Sequence, residues 1–102
     1  MTNAIETRLA ELGLTLPTSP APQANYVPFV ISGNLVFVSG QVPMNADGFV
    51  KGVLGDTMSV EEGAAAAKLC GLSLLAQVKA ACGGDLSRLK RVVKLTGFVN
   101  ST

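Results

Sequence analysis

The fold is decided by residues 28–43, PFVISGNLVFVSGQVP. Two apolar runs, 29–31 and 35–38, flank Ser32-Gly33-Asn34, and their β-branched and aromatic residues favour strands. The Gly-Asn pair suits a tight turn that requires a positive φ. The stretch therefore predicts a β-hairpin whose second strand ends in the polar tripeptide Ser39-Gly40-Gln41.

A long helix is predicted after the hairpin. Ser59 and Glu62 form the S-x-x-E pattern of a capping box, and Gly83-Gly84 is a typical stop, so the helix should end at about Cys82. Glycine and alanine make this helix thin, and we expect it to lie across the strands. Its apolar face is predicted to consist of Ala67, Cys70, Leu74, Val78 and Ala81.

Two further stretches complete the predicted sheet. Residues 44–55 are expected to form a loop with a short strand, turning at Asp47-Gly48. Residues 90–100, KRVVKLTGFVN, alternate along the chain and predict a strand after the helix. This order of elements indicates an α+β fold with the long helix packed on one face of the sheet.

The N-terminal part has a different character. Residues 3–12 predict a short amphipathic helix, capped by Asn3 and stopped by Gly13. Residues 15–23 contain three prolines and predict an extended connector. We therefore expect a single domain over 1–102, with 1–24 as helix and connector and 25–102 as the core.

Composition limits the classes of partner. The net charge is +1 at pH 7, which gives no field that predicts binding to nucleic acid or an anionic membrane. No run approaches the length of a membrane helix, and the N-terminus lacks the continuous apolar core of a secretion signal. A cytoplasmic protein without a membrane partner is expected. Charged residues make up only 15%, which suggests that another subunit covers part of the surface.

The titratable residues limit the chemistry. The chain has no histidine, which removes the commonest general base and metal ligand, and no metal site is predicted. Cys70 and Cys82 fall in the predicted helix roughly 18 Å apart, too far to bridge. Both are expected to be free thiols.

Three features have two interpretations each. Ser39-Gly40-Gln41 is either a ligand site at a strand end or an ordinary turn, and residue types alone favour the turn. Tyr26, the only tyrosine, either lines a cleft or is a partly buried aromatic. Four cations form a basic cluster: Arg88, Lys90, Arg91 and Lys94. Such a cluster is more often a solvated edge than an RNA-binding surface.

Several motifs resemble the RidA/YjgF family of enamine/imine deaminases, also labelled "endoribonuclease L-PSP". They are Asn25-Tyr26-Val27-Pro28 and LVFVSGQVP at 35–43, which is similar to the family's I/V-x-x-SGQ-I/V-P. Gly83-Gly84-Asp85-Leu86 and the strand at 92–100 extend the likeness, so that it covers 25–102. The N-terminal helix resembles an extension found in one YjgF-like subgroup.

The resemblance implies a chorismate-mutase-like fold and a homotrimer that binds small ligands between subunits. The implied reaction is hydrolysis of reactive 2-imino acids to 2-oxo acids and ammonia, without metal or organic cofactor. By motif position, Tyr26 would line the cleft, Ser39 would hydrogen-bond near the ligand, and Gly40 would offer its backbone. A non-catalytic small-molecule binder or regulator is the alternative, and RNA cleavage is a weaker one.

The family pattern also includes an arginine that binds the substrate carboxylate and a glutamate that positions water. Neither matches a residue in 1–102, since Arg88 and Arg91 precede the last predicted strand. The resemblance therefore leads us to expect both beyond Thr102, and a core domain that is incomplete at its C-terminal end.

Overall fold

A computed structural model describes residues 4–18 and 25–102. The strands form two separate antiparallel pairs, and the long helix contacts three of the four strands. This arrangement confirms the predicted α+β class. The elements are helix α1 (Ala4–Glu11), strands β1 (Phe29–Ser32), β2 (Leu35–Val38), β3 (Met44–Asn45) and β4 (Gly48–Phe49), helix α2 (Val60–Ala81) and a 3-10 helix (Leu86–Arg88).

The predicted hairpin is formed by β1 and β2. Phe29 pairs with Val38 at one end, and Ser32 pairs with Leu35 beside the turn. Gly33 takes the first turn position with φ +58°, a conformation that side-chain-bearing residues rarely adopt. The hairpin therefore turns where the sequence predicts, and its open end lies at residues 28 and 39.

A second, smaller hairpin occupies the predicted loop at 44–55. Met44 pairs with Phe49, and Asn45 pairs with Gly48. The Asn45 side-chain oxygen accepts a hydrogen bond of 2.9 Å from the Asp47 N–H, which closes the turn. The predicted turn is present, and it joins two short strands rather than the one expected.

Helix α2 has the predicted boundaries. The Ser59 hydroxyl accepts from the Glu62 N–H at 3.1 Å, and the Glu62 carboxylate accepts from the Ser59 N–H at 3.0 Å. At the other end the Gly84 N–H donates to the Lys79 carbonyl at 2.8 Å, while Gly83 has φ +69°. Both ends of α2 are therefore closed by the residues that the sequence marks.

The predicted buried face of α2 is wrong by roughly a quarter turn. Ala67 is exposed, and the other four members of the predicted face are only half-buried. The buried residues are Ala66, Ser73, Ala76 and Gln77. Two of these are polar, and hydrophobic periodicity assigns polar side chains to solvent, so the pattern pointed to the neighbouring face.

The predicted strand at 90–100 is not formed. These residues are irregular and exposed, and the Phe98 side chain is 95% accessible. The Leu54 N–H donates to the Asn100 carbonyl at 3.0 Å, and the Thr102 N–H donates to the Leu54 carbonyl at 3.0 Å. A strand requires a neighbour along its length, and in the described part of the chain only Leu54 pairs with this segment.

Helix α1 forms and docks. Gly13 adopts φ +69°, and the Leu14 N–H donates to the Leu9 carbonyl at 2.9 Å, so the predicted stop is confirmed. Glu6 forms an ion pair with Lys79 of α2, and α1 also contacts the 3-10 helix. The predicted cap Asn3 and residues 19–23 of the predicted connector lie outside the described residues.

The buried core of the described residues is small. Leu86 is fully buried, and Gln77 is 1% exposed. By contrast, Val30, Ile31 and Phe37 of the first hairpin are each more than half exposed. Much apolar surface therefore remains accessible in this fold.

By length and composition alone, α2 is long and apolar enough to cross a membrane. This finding corrects the expectation that no segment reaches that length. The core helices of soluble proteins can pass the same test, and α2 contacts β1, β2 and β3 while burying two polar side chains. Length and composition are therefore weak evidence for a membrane span here.

Candidate functional site at the open end of the first hairpin

Of the three predicted site residues, Ser39 and Gly40 lie at the open end of the β1–β2 hairpin, and Tyr26 lies on the segment that leads into it. The Ser39 N–H donates to the Pro28 carbonyl at 2.9 Å, which extends the strand pairing by one position. Gly40 follows Ser39, and Tyr26 lies two residues before Pro28. Strand pairing ends at this point. The backbone groups beyond it do not form hydrogen bonds between β1 and β2.

Ser39 has an unusual hydroxyl group. The Oγ atom is buried, and it has no hydrogen-bond partner in the part of the chain that the structure describes. Leaving a buried polar group unpaired is unfavourable by about 1–3 kcal/mol. Such a group needs an explanation, and a ligand that supplies the missing partner is one.

Gly40 offers an open backbone. It is exposed, and a Cβ built on it would meet no atom within 4 Å. Within residues 4–18 and 25–102, its N–H has no hydrogen-bond acceptor. A ligand can therefore approach the Gly40 backbone closely.

Gln41 also belongs to this site. Its side chain is half-buried, and the Nε2 group donates to the Ser39 carbonyl at 3.0 Å. The sequence places this amide at the strand end, but the motif does not predict Gln41 as a binding residue. The available signal was an amide two residues after the serine, a spacing from which it can reach back to the backbone.

Tyr26 is placed at the same end of the hairpin and is 43% exposed. A partly exposed ring offers an apolar surface together with a phenol group. This position is compatible with lining a cleft. The structure therefore places Ser39, Gly40 and Gln41 at the open end of the hairpin, and Tyr26 lies on the segment that enters β1 there.

The charged residues elsewhere have other roles. The Arg88 guanidinium donates to the Cys82 carbonyl at 3.1 Å, so it caps the end of α2. Asp85 accepts from both the N–H and the hydroxyl of Ser87, and these hydrogen bonds lower the pKa of its carboxyl. Among the described residues, no group of three or more histidine, cysteine or acidic side chains could hold a metal ion.

Neither cysteine has the surroundings of a nucleophile. Both are free, Cys82 is buried at the end of α2, and Cys70 is half-buried. Burial raises the pKa of the Cys70 thiol, which keeps it protonated at neutral pH. The thiols therefore act as small apolar groups.

A separate groove of about 270 Å³ lies beside α1. Its walls are formed by α1, the following residues and one side chain of α2, and it contains none of the four residues Tyr26, Ser39, Gly40 and Gln41. The lining residues are Glu6, Leu9, Ala10, Leu14, Thr15, Leu16 and Lys79. This groove belongs to the docking of α1.

Comparison with known proteins assigns the chain to a family. Residues 6–102 match the family model described as "YjgF/chorismate_mutase-like, putative endoribonuclease". Protein TCP17 of Trypanosoma cruzi is 48% identical over 99 residues, which are 96% of this chain and 61% of TCP17.

Two solved structures have the same fold. Atu1372 of Agrobacterium tumefaciens, a protein of unknown function, is 53% identical with a TM-score of 0.75 over 87% of this chain and 54% of its own. A "putative endoribonuclease" of Shewanella oneidensis MR-1 is 43% identical, also with a TM-score of 0.75, over 81% of this chain and 55% of its own. The chain thus spans between half and two thirds of these relatives, and it belongs to the YjgF/chorismate-mutase-like family.

Proposed function

We propose that this protein is an enamine/imine deaminase that hydrolyses reactive 2-imino acids to 2-oxo acids and ammonia. Family membership supports the fold and the motif positions on which this proposal rests. The single observation that carries it is the buried, unpartnered Ser39 hydroxyl beside the open Gly40 N–H. In this proposal a small polar ligand supplies the partner that the Ser39 hydroxyl lacks and accepts a hydrogen bond from the Gly40 N–H.

The reaction sets modest demands on these residues. Water adds to the C=N carbon while the nitrogen takes up a proton, which gives a tetrahedral carbinolamine. A second proton reaches the nitrogen, the C–N bond breaks with its electrons leaving on ammonia, and loss of the hydroxyl proton forms the C=O group. Because the substrate carries a carboxylate, a donor such as the Gly40 N–H suits its binding.

Ser39 has a complementary role. Its hydroxyl can donate to the ligand and accept from it, so it can follow the change from imine to carbinolamine. Neither Ser39 nor Gly40 is a base at neutral pH. In this proposal they bind and orient the substrate, and Tyr26 covers one side of it.

The activity is proposed for the whole protein. In the family pattern, an arginine binds the carboxylate and a glutamate positions the water, and neither corresponds to a residue in 1–102. The proposal also includes a cytoplasmic homotrimer with the site between subunits. The exposed apolar side chains on the first hairpin, such as Val30 and Phe37, are compatible with such an assembly.

The experiment uses the protein expressed from its entire reading frame. A pyridoxal-phosphate dehydratase produces 2-iminobutanoate from threonine, and the rate of imine disappearance is followed with and without the protein. Acceleration over buffer that scales with protein concentration is expected. The deaminase proposal fails if the rate equals that in buffer; binding of 2-oxobutanoate without acceleration would then indicate a non-catalytic binder.

RNA cleavage is a second candidate, favoured by one specific observation. The four cations of the basic cluster are exposed, and the Shewanella oneidensis relative is described as a "putative endoribonuclease". If this surface binds RNA, affinity should fall steeply as salt increases. Substituting Lys90 and Arg91 by glutamine should weaken RNA binding, whereas the deaminase proposal predicts no effect on imine hydrolysis.

A further inference from the structure

We propose that Gln41 is a positioning residue, whose side-chain amide holds the Ser39 carbonyl and thereby directs the Gly40 N–H toward a ligand carboxylate. This inference rests on the proposed function, because it assigns a role within the same site. It adds a residue that does not itself need to contact the substrate.

The geometry of the peptide bond couples the Ser39 carbonyl to the Gly40 N–H. The Ser39 carbonyl and the Gly40 N–H belong to one peptide unit, and the described residues contain no cis peptide bond. In a trans peptide the two groups point in opposite directions. Fixing the carbonyl on one side therefore fixes the direction of the N–H on the other.

Two hydrogen bonds hold the backbone of Ser39. Its N–H is held by the Pro28 carbonyl at 2.9 Å, and its carbonyl is held by Gln41 Nε2 at 3.0 Å. Both backbone groups of Ser39 are thus fixed by different parts of the chain. The hairpin fixes the first, but only Gln41 fixes the second within the described residues.

The surroundings of Gly40 are open. This residue follows the end of the ladder, it is exposed, and open space surrounds the position of a Cβ. Without the Gln41 contact, no other hydrogen bond in the described residues would hold the peptide between Ser39 and Gly40 in one orientation. A donor that must be ordered during binding gives lower affinity than one already in place.

The test compares Gln41→Met with the unmodified protein, both expressed from the entire reading frame. Methionine preserves the length of the side chain and removes the donor. The probe is 2-oxobutanoate, and its binding is followed through the amide resonance of Gly40. We expect Gln41→Met to raise the dissociation constant about three- to tenfold, the range for one hydrogen bond.

A kinetic readout separates positioning from general damage. A donor that holds the carboxylate equally in ground and transition state affects KM and leaves kcat unchanged. Asn45→Ala is the matched control, since it removes a similar side-chain-to-backbone bond in the neighbouring hairpin. This control should keep the affinity for 2-oxobutanoate within about twofold.

Several results would overturn the inference. They are equal affinity in Gln41→Met, equal losses in Gln41→Met and Asn45→Ala, or a Gly40 resonance that does not respond to 2-oxobutanoate. If Gln41→Met fails to fold, the unmodified protein still provides a test: a Gln41 amide with solvent-like proton exchange would show that the contact is not formed. Absence of imine hydrolysis in the unmodified protein, together with weaker 2-oxobutanoate binding in Gln41→Met, would refute the deaminase function and support the inference.

Discussion

Backbone hydrogen bonding differs between helix α2 and residues 90–100. The helix bonds its N–H and C=O groups internally and closes both ends with Ser59, Glu62 and the double glycine. Within the described structure, residues 90–100 form one backbone hydrogen bond, from the Leu54 N–H to the Asn100 carbonyl, and they are exposed throughout. Order in a helix depends on its own residues, whereas order in a strand depends on a neighbouring strand.

The same contrast separates structure from site. Residues whose polar groups are paired within the fold, such as Ser59, contribute to stability. Ser39 leaves its hydroxyl buried and unpaired among the described residues, and that arrangement does not help the fold. A polar group that the fold leaves unpaired is a better candidate for ligand binding than one that the fold uses.

Hydrogen exchange should show the largest difference between the two regions. In a chain of residues 1–102, amides in the middle of α2 should exchange about a thousandfold more slowly than those at 91–99. A helical amide exchanges with solvent only after its hydrogen bond opens, whereas the amides at 91–99 are exposed. Exchange followed by mass spectrometry measures both regions at once. Equal protection would show that residues 91–99 have a partner along their length.

Truncating a core side chain should have the next largest effect. Leu86→Ala should lower the free energy of unfolding by about 2–5 kcal/mol, since Leu86 is fully buried and its 3-10 helix contacts α1. Urea unfolding followed by circular dichroism provides the measurement. Leu95→Ala is the control in the exposed segment and should change stability by no more than about 0.5 kcal/mol. Similar losses in both would contradict the contrast.

Removing the helix cap should have a smaller effect. Ser59→Ala deletes the hydroxyl that accepts from the Glu62 N–H, and it should destabilise the protein by about 1 kcal/mol. Ser59→Thr keeps a hydroxyl and should lie within about 0.5 kcal/mol of the original. A loss that is the same for alanine and threonine would mean that the capping box does not stabilise α2.

The smallest predicted effect is on the stability of the protein at acidic pH. Hydrogen bonds from the Ser59 N–H and side chain lower the pKa of Glu62 below its ordinary value of 4.5. Its stabilising effect is therefore complete above that value and is lost as pH falls through the lower pKa of the folded state. Glu62→Gln can still cap the helix but cannot titrate, so its unfolding midpoint should decline less below pH 4.5. An identical decline would show that Glu62 does not contribute.

Sequence reasoning located local features well. The Gly33 turn, the Ser59 capping box and the glycine stops depend on a few adjacent residues, and their boundaries were confirmed. The buried face of α2 was missed because Ser73 and Gln77 are polar and buried, which a hydrophobic pattern cannot indicate. The strand at 90–100 was predicted wrongly because alternation gives a preference but not a pairing partner.

The candidate site was only partly predictable. Tyr26, Ser39 and Gly40 are predicted from motif position, and Ser39 and Gly40 lie where the hairpin ends. The unpaired state of the Ser39 hydroxyl and the contact from Gln41 depend on the folded geometry. Neither could be derived from residue types, which favoured an ordinary turn.

The most direct test of the central claim is Ser39→Ala, measured for both imine hydrolysis and stability. If the hydroxyl serves a ligand, its loss should reduce the acceleration of 2-iminobutanoate hydrolysis at least about fivefold, as for one lost hydrogen bond. The thermal midpoint should stay equal or rise, because an unpaired buried group has been removed. Ser32→Ala, at the exposed turn end of the same hairpin, should change neither. Unchanged hydrolysis in Ser39→Ala, or a loss that follows a lowered midpoint, would contradict the account.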